Sequence, residues 1–565
     1  MKRTIWCVPG LLTIVFAGCG GPKEEVQVAA NTDAPPVLHF SDITTESGID
    51  MTLTSGRLPS TQILEVKGAG LALIDYNNNG WLDLFVPNGA TLEDTERGPG
   101  WRLYENLGGP DIRFKDVSEQ AGMTHTRWAL GATVGDFDGD GFDDIHVTCY
   151  GPNVMLRNTG SNSFVDVTPT ARVGHPGWST SSAFGDVSGD GMLDLYVANY
   201  LEFDAANPPP STRFLGMEVL AGPRGLPPQA DALYRNNGDG TFEDVSVASG
   251  IAAVPSMYGL GVVILDFDND GRQDIYVGND SMPNFMFHNQ GNMRFVEIGA
   301  RSGIASNVDG SNQATMGIGI GDVNGNGLPD VFTTNFSSDM NTLHVNLGNM
   351  SFEDQTQRRG LGIISRPFLG WACGFYDLDL DGHEELLMVN GHVYPQATRE
   401  RMDSDYEQPP LLFKRRGERY ERFADDSAGE WLNRPARDRA MVFADLDGDG
   451  DIDLIIGEMN GPIRVLRNDG ERSKSSVWLI VELRDERPNV GNQRGLGSRV
   501  EWLVGDERMT RWIYGGGFMS NSPPYAHFGR PGAQSTGRVR ITWPDGVVQE
   551  EAVPSLNAKL TITRR

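Results

Sequence analysis

The chain is poor in the groups that cross-link or catalyse. Four cysteines in 565 residues are too few for a disulfide framework in an exported protein. Cys7 and Cys19 sit in or just after the N-terminal apolar stretch, and Cys149 and Cys373 fall in different sequence repeats, so two buried thiols are expected rather than a bridge. Basic residues are outnumbered 47 to 76, and the formal charge of −29 excludes nucleic acid as a partner. Nine histidines are scattered without an HExxH pattern, and neither GxSxG nor a P-loop occurs. The apolar stretch from Ile5 to Phe16 is too short to span a membrane, and no long helical periodicity follows it.

What the chain has instead is glycine, at 70 residues, proline, at 32, and an acidic loop that recurs seven times. The loop reads Asp-x-[Asp/Asn/Ser]-x-[Asp/Asn]-Gly-x-x-[Asp/Glu]. Positions one, three, five and nine are Asp75, Asn77, Asn79 and Asp83 in the first copy. They are Asp136, Asp138, Asp140 and Asp144 in the second, and Asp186, Ser188, Asp190 and Asp194 in the third. The fourth has Asp266, Asp268, Asp270 and Asp274, and the fifth Asp322, Asn324, Asn326 and Asp330. The sixth has Asp377, Asp379, Asp381 and Glu385, and the seventh Asp445, Asp447, Asp449 and Asp453. Oxygen side chains at this spacing, with a turn at the glycine, wrap a hard cation that takes six or more oxygens, which points to calcium, up to seven structural ions in all. The loop opens like an EF-hand, but its last carboxylate comes three residues after the glycine and starts a strand such as "DLYVAN" or "DIYVGN" rather than a helix.

Between loops lies a second repeated unit, as in "LYRNNGDGTFEDVSVASGI", which reads as two strands about an Asn/Gly turn. Each repeat therefore supplies four strands, and seven repeats predict an all-β, seven-bladed propeller with calcium loops over residues 38–470. The last repeat stops at "VLRNDG", and its missing half, "HFSDITTESGI", stands at residues 39–49, so the two chain ends are expected to share one blade. Residues 471–565 lack the loops and read as a separate small β domain. Residues 1–18 have the basic start and apolar core of an export signal. Phe16-Ala17-Gly18-Cys19 resembles a bacterial lipobox, which implies lipidation at Cys19, a tether over 19–37, and an extracytoplasmic, membrane-anchored protein; Gly20 fits the outer-membrane sorting pattern.

The loops and the N-x-G-x-x-x-F-x-D-V hairpins resemble FG-GAP/VCBS repeats of the integrin-like propeller class. The tail, with "GLGSRVEWLVGDERMTRWIYGGGFMSNSPPYAHFG" and "RVRITWPDGVVQE", resembles the ASPIC/UnbV module. The insertion "ANYLEFDAANPPP" onward and "GWACGFYDLDLDGHEELLMVNGHVYP" are similar to the cartilage acidic protein family, including its bacterial members. The resemblance implies calcium binding and a cell-surface or secreted setting, without a defined activity. Asparagine at positions three and five marks the loops at Asp75 and Asp322 as the weakest expected sites.

In this propeller class the metal loops join first and second strands on one face, so the long insertion from Tyr200 to about Asp231 should overhang the other. Trp128, Trp178, Tyr258 and Arg437 lie eight residues ahead of their loop aspartates, as do Lys67, Ala314 and Leu369, and Trp371 lies two beyond Leu369. Trp128, Trp178, Tyr258, Trp371 and Arg437 are the expected binding face, for a glycan or protein partner outside the cytoplasm, unless they pack between blades. Asn88, Asn199, Asn279, Asn335 and Asn390 share one slot after the loop and point to a structural duty. A calcium-dependent sugar lyase or dehydratase is the alternative to a binding module.

Overall fold

The computed structural model describes residues 38–565 apart from 69, 424–425, 471–475, 489 and 533–534. The export signal over 1–18, Cys7, Cys19 and the tether over 19–37 lie outside the described residues, and the expected boundary at 470–471 borders another such stretch. Among the described residues, no helix is long and apolar enough to cross a membrane.

Each acidic loop joins the first two strands of a four-stranded antiparallel sheet, and there are seven such sheets. In the first sheet Ala72–Ile74 pairs with Asp83–Val86, which pairs with Arg102–Asn106 and then Phe114–Asp116. These second strands are apolar on both faces because each is covered by sheets on either side, which is why they read as unbroken hydrophobic runs. Successive sheets pack face to face. Leu71 and Leu73 of the first meet Val442 and Ile455 of the seventh, Ala72 and Phe85 meet Val134 and Ile145 of the second, and Val263 of the fourth meets Ile318 and Val331 of the fifth. Thus the array closes on itself as a propeller ring.

Closure uses the chain ends as the repeat pattern requires. Phe40–Asp42 is the outer strand of the seventh sheet, antiparallel to Ile463–Asn468 with Phe40 opposite Asn468. Phe40 is 2% exposed and meets Trp431 edge-on at 5.4 Å between ring centroids.

The C-terminal residues form two further sheets. One has Ser476–Asp485 between Tyr525–Pro531 and Ala558–Arg564, and the other orders Glu507–Ile513, Ser498–Val504, Arg538–Thr542 and Val548–Ala552. They pack against the ring, and the described residues from Leu38 onward are one compact unit. Two contacts account for this. Leu479, Val500 and Trp502 share a core with Phe137, Phe184 and Leu193 of the ring. Residues 515–522 also enter the centre of the ring. Gly515–Gly517 adds a fifth strand to the inner edge of the fourth sheet, opposite Val262–Ile264. Met519 N–H donates to Ser181 Oγ (2.9 Å), Met519 carbonyl accepts from Ala132 (3.2 Å), and Asn521 exchanges hydrogen bonds with Leu71 and Leu73 (2.9 and 3.0 Å). Phe518 lies 5.4 Å from the Trp371 ring.

This plug explains the Gly-Gly-Gly run. A Cβ on Gly516 would stand 2.2 Å from the Val262 carbonyl, at a φ of +101°. Gly516→Ala should lower the melting temperature well beyond Gly532→Ala, which has a φ of +88° but open space around it. Phe40→Ala should cost about 3–5 kcal/mol, the usual range for a buried Phe, in one cooperative transition followed by chemical denaturation. A separate early transition of the seventh sheet alone would contradict a closed ring.

Candidate functional site

The seven loops share one hydrogen-bond plan. The position-six glycine has φ between +79° and +91° in every copy, and its N–H donates to the position-one carboxylate at 2.9–3.1 Å. The position-nine carboxylate is buried throughout. One of its oxygens accepts from the loop backbone, as in Tyr76 N–H to Asp83 (3.1 Å) and Leu446 N–H to Asp453 (2.9 Å). In six sheets its other oxygen accepts from the N–H of an asparagine ending the third strand: Asn106, Asn158, Asn236, Asn289, Asn346 or Asn468, at 2.7–2.9 Å.

The amides of those asparagines link each sheet to the one before it. Asn158 Nδ2 donates to the Tyr76 carbonyl (2.8 Å), Asn236 to Phe137 (2.8 Å), Asn289 to Val187 (2.9 Å), Asn346 to Phe267 (2.8 Å) and Asn468 to Leu378 (2.9 Å). Asn106 closes the circuit on Leu446 of the seventh loop (3.0 Å). The sixth sheet lacks this asparagine, and Arg359 caps the Val323 carbonyl instead (3.2 Å). The turn asparagines of the hairpin repeat therefore hold neighbouring loops in register.

The donor set fits a hard cation. Three carboxylates lie within 4.8 Å of one another in the loops beginning at Asp136, Asp266, Asp377 and Asp445. Asp322 Oδ1 and Glu385 Oε1 are buried with no hydrogen-bond partner among the described residues. Burial pushes Asp186, Asp266 and Asp445 up to about 6, Asp136 to about 7, and Asp83, Asp194 and Asp330 to about 8. Carboxylates held this way favour protons or a cation over bare charge. In four sheets the residue before the strand-ending asparagine meets the loop. Arg157 faces Asp138 (3.7 Å), Arg235 faces Asp190 (3.6 Å) and His288 faces Asp268 (3.3 Å), while in the asparagine-rich first loop Glu105 accepts from Asn77 (3.1 Å). In the sixth sheet Lys414 contacts Asp379 directly.

The C-terminal sheets cover this face, reaching all seven loops. Arg494 pairs with Asp143 (3.1 Å) and touches Asn78 (3.3 Å), Gln493 donates to Gly139 (2.8 Å), and Gly491 N–H donates to Gly191 (2.9 Å). Arg499 reaches Asn269 (2.6 Å), Arg508 the Gly325 carbonyl (3.0 Å), Arg511 pairs with Glu384 (3.1 Å), and His527 Nε2 lies 3.0 Å from the Gly450 carbonyl.

The opposite ends of the strands enclose a cavity of about 510 Å³ that touches none of the loop residues. Trp371 lines it, and the Arg439 guanidinium lies 4.1 Å from the Trp371 ring centroid. Arg439 is held by the carbonyls of Val66 (3.0 Å), Gly391 (3.1 Å) and His392 (3.3 Å). Lys67 Nζ pairs with Asp280 (3.1 Å), which also accepts from Tyr200 (2.6 Å) and Ser281 (3.0 Å). Burial draws the Lys67 ammonium below its ordinary pKa, and Asp280 opposes that shift. The insertion forms the roof: its hairpin Thr212–Phe214 and Met217–Val219 places Phe214 5.7 Å from Tyr394 and 6.2 Å from Phe336.

Of the residues expected on the binding face, Trp371 reaches the cavity. Trp128, Trp178 and Tyr258 are buried in the central core, with Tyr258 bonded to the Leu226 carbonyl (2.7 Å) and Trp178 N–H to Gln229 (2.8 Å). Arg437 pairs with Glu407 and Glu458. His392 is buried against Ser337 (3.0 Å), and burial together with Arg439 holds it down to about 3, neutral at physiological pH. Asn199, Asn279, Asn335 and Asn390 donate to the carbonyls of Ala230, Pro283, Met340 and Pro409 ahead of the third strands, and Asn88 accepts from Thr54. Asp280 and Tyr394 also line the cavity, with Tyr200 behind Asp280 and Arg439 behind Trp371. Arg439 had a signal, since it occupies in the seventh repeat the slot that Trp371 fills in the sixth.

Residues 75–147, 136–197, 217–277, 266–333 and 322–388 match the FG-GAP-like repeat, and residues 489–565 match the ASPIC and UnbV domain. Cartilage acidic protein 1 of Mus musculus is 28% identical over 344 residues, covering 60% of this chain and 49% of that protein. The Homo sapiens protein of that name is 27% identical, with coverages of 60% and 48%. The chain thus spans about half the length of the curated relatives it matches. Among solved structures, an Agrocybe aegerita lectin described as recognising non-reducing terminal N-acetylglucosamine is 16% identical, covering 70% of this chain and 86% of its own, with a TM-score of 0.37, too slight a likeness to argue from.

Asn158→Ala removes the amide link from the second sheet to the first loop. It should lower stability by about 1–3 kcal/mol, the cost of orphaning a buried polar partner, as measured by denaturant unfolding.

Proposed function

Because the chain belongs to the FG-GAP-like repeat family with a C-terminal ASPIC and UnbV domain, we propose that it is an extracellular binding module whose loops hold structural calcium and whose partner docks on the face opposite them. The observation that carries this reading is the division of the two faces. The loop face is covered by the C-terminal sheets, and the centre of the ring is filled by residues 515–522. The remaining face carries the insertion, whose hairpin tip exposes Leu215 (63%) and Phe214 (37%). Exposed apolar groups on a projecting hairpin are anchors for a protein or glycan surface.

Calcium, when bound, supplies the positive charge that the clustered loop carboxylates lack; those carboxylates hold the turns and third strands in place. In this reading the metals are scaffold, distant from the partner. A lipid at Cys19 would keep the module at the membrane surface.

A glycan array and a panel of purified surface proteins, probed with the full chain in millimolar calcium, test the assignment. The partner found should be lost with Leu215→Asp and lost with chelator. Binding that survives Leu215→Asp at native melting temperature would contradict the assignment to this face, and undiminished binding in chelator would remove calcium from the account.

A further inference from the structure

We propose that the cavity beneath the insertion binds a small organic acid, with its carboxylate at Lys67 and its apolar body against Trp371, Phe336 and Tyr394. This goes beyond the partner reading and does not depend on it, because the cavity lies at the strand ends away from the loops and under, rather than on, the exposed tip.

Size is the first argument. About 510 Å³ lies within the range of sites that enclose most of a small ligand's surface. Its lining is mainly apolar, with Val66, Leu220, Met316 and Leu369 alongside the aromatic rings.

Charge is the second. Asp280 is satisfied: Lys67, Tyr200 and Ser281 all donate to it. Lys67 keeps hydrogen-bonding capacity: its ammonium has three donors, Asp280 is its one hydrogen-bond partner among the described residues, and it otherwise faces the Tyr200 and Trp371 rings at 4.8 and 5.4 Å. Asp339 accepts from the Met340 N–H (2.8 Å). Arg213 and Arg224 line the cavity, are exposed, and have no carboxylate partner among the described residues. Arg439 adds a buried cation beneath Trp371, with its donors committed to carbonyls. Lys67, Arg213, Arg224 and Arg439 thus outweigh Asp280 and Asp339, which leaves a positive pocket in a chain whose net charge is −29. A buried ammonium with spare donors next to an apolar wall recognises an anion that carries an apolar body, and a carboxylate matches its hydrogen-bonding capacity. A neutral sugar would leave the positive charge uncompensated. An organic cation would be repelled.

Isothermal titration of the full chain in calcium compares naphthylacetate, naphthylacetamide and naphthylethylamine, which share a ring and differ in charge. The acid should bind with unit stoichiometry and about tenfold or more tighter than the amide, the effect of one charge-assisted hydrogen bond, and the amine should not bind. Lys67→Met should bring the acid down to the level of the amide and leave the amide unchanged. Should that variant fail to fold, the exposed pair Arg213→Gln/Arg224→Gln decides, and it should weaken the acid severalfold. No binding of the acid, equal affinity for acid and amide, or an acid preference that survives both sets of variants would overturn the proposal.

Discussion

Burying carboxylates is the constraint on which the rest of this protein depends. In every sheet the position-nine acid lies out of water, and in six of them it orients the third strand through a backbone N–H. The asparagine that donates that N–H then reaches across to the preceding loop. A fold built this way gains a continuous circuit of hydrogen bonds around the ring, at the cost of clustering negative charge. Protons or cations must offset the clustering. Some come from the chain itself, since Arg157, Arg235 and Lys414 each face an acidic loop. Where the first loop has asparagine in place of aspartate, the same strand position is Glu105, so loop and strand charges are matched there as well.

The C-terminal sheets follow from the same constraint. A face lined by acidic loops attracts basic side chains, and Arg494, Arg499, Arg508 and Arg511 dock on it. The glycine run then brings the backbone of residues 515–517 within hydrogen-bonding distance of the fourth sheet, where any side chain would collide with carbonyls. With one face covered and the centre filled, the proposed recognition falls to the face bearing the insertion. In the proposed reading, scaffold chemistry and binding chemistry are thereby separated along the ring axis.

Much of this was legible in the chain because it rests on local, repeated spacing. The loop glycines must be glycine because their φ is positive, and the split repeat at 39–49 and 465–470 told how the ring closes. What could not be read depends on contacts between distant residues. The strand-ending asparagines look like ordinary turn residues in any single hairpin, and only the approach of a second loop gives the amide its partner. Trp128 and Trp178 share a slot with Lys67, yet the first two pack into the central core while Lys67 meets Asp280 across the ring. The Gly-Gly-Gly-Phe-Met segment carries no periodicity that would place it inside another sheet array. A β-bulge at the start of several first strands, as between Gly370 and Cys373, also breaks the simple alternation of side chains there.

Calcium as the scaffold is the claim everything else leans on, and heating the chain from Leu38 onward with calcium and with chelator, while counting bound metal by elemental analysis, tests it most directly. Each site held at a hundredfold excess over its dissociation constant should add about 2.7 kcal/mol, so the account predicts a large calcium-dependent rise in melting temperature with more than half of the seven loops filled. An unchanged melting temperature, or a single tightly held ion, would contradict it.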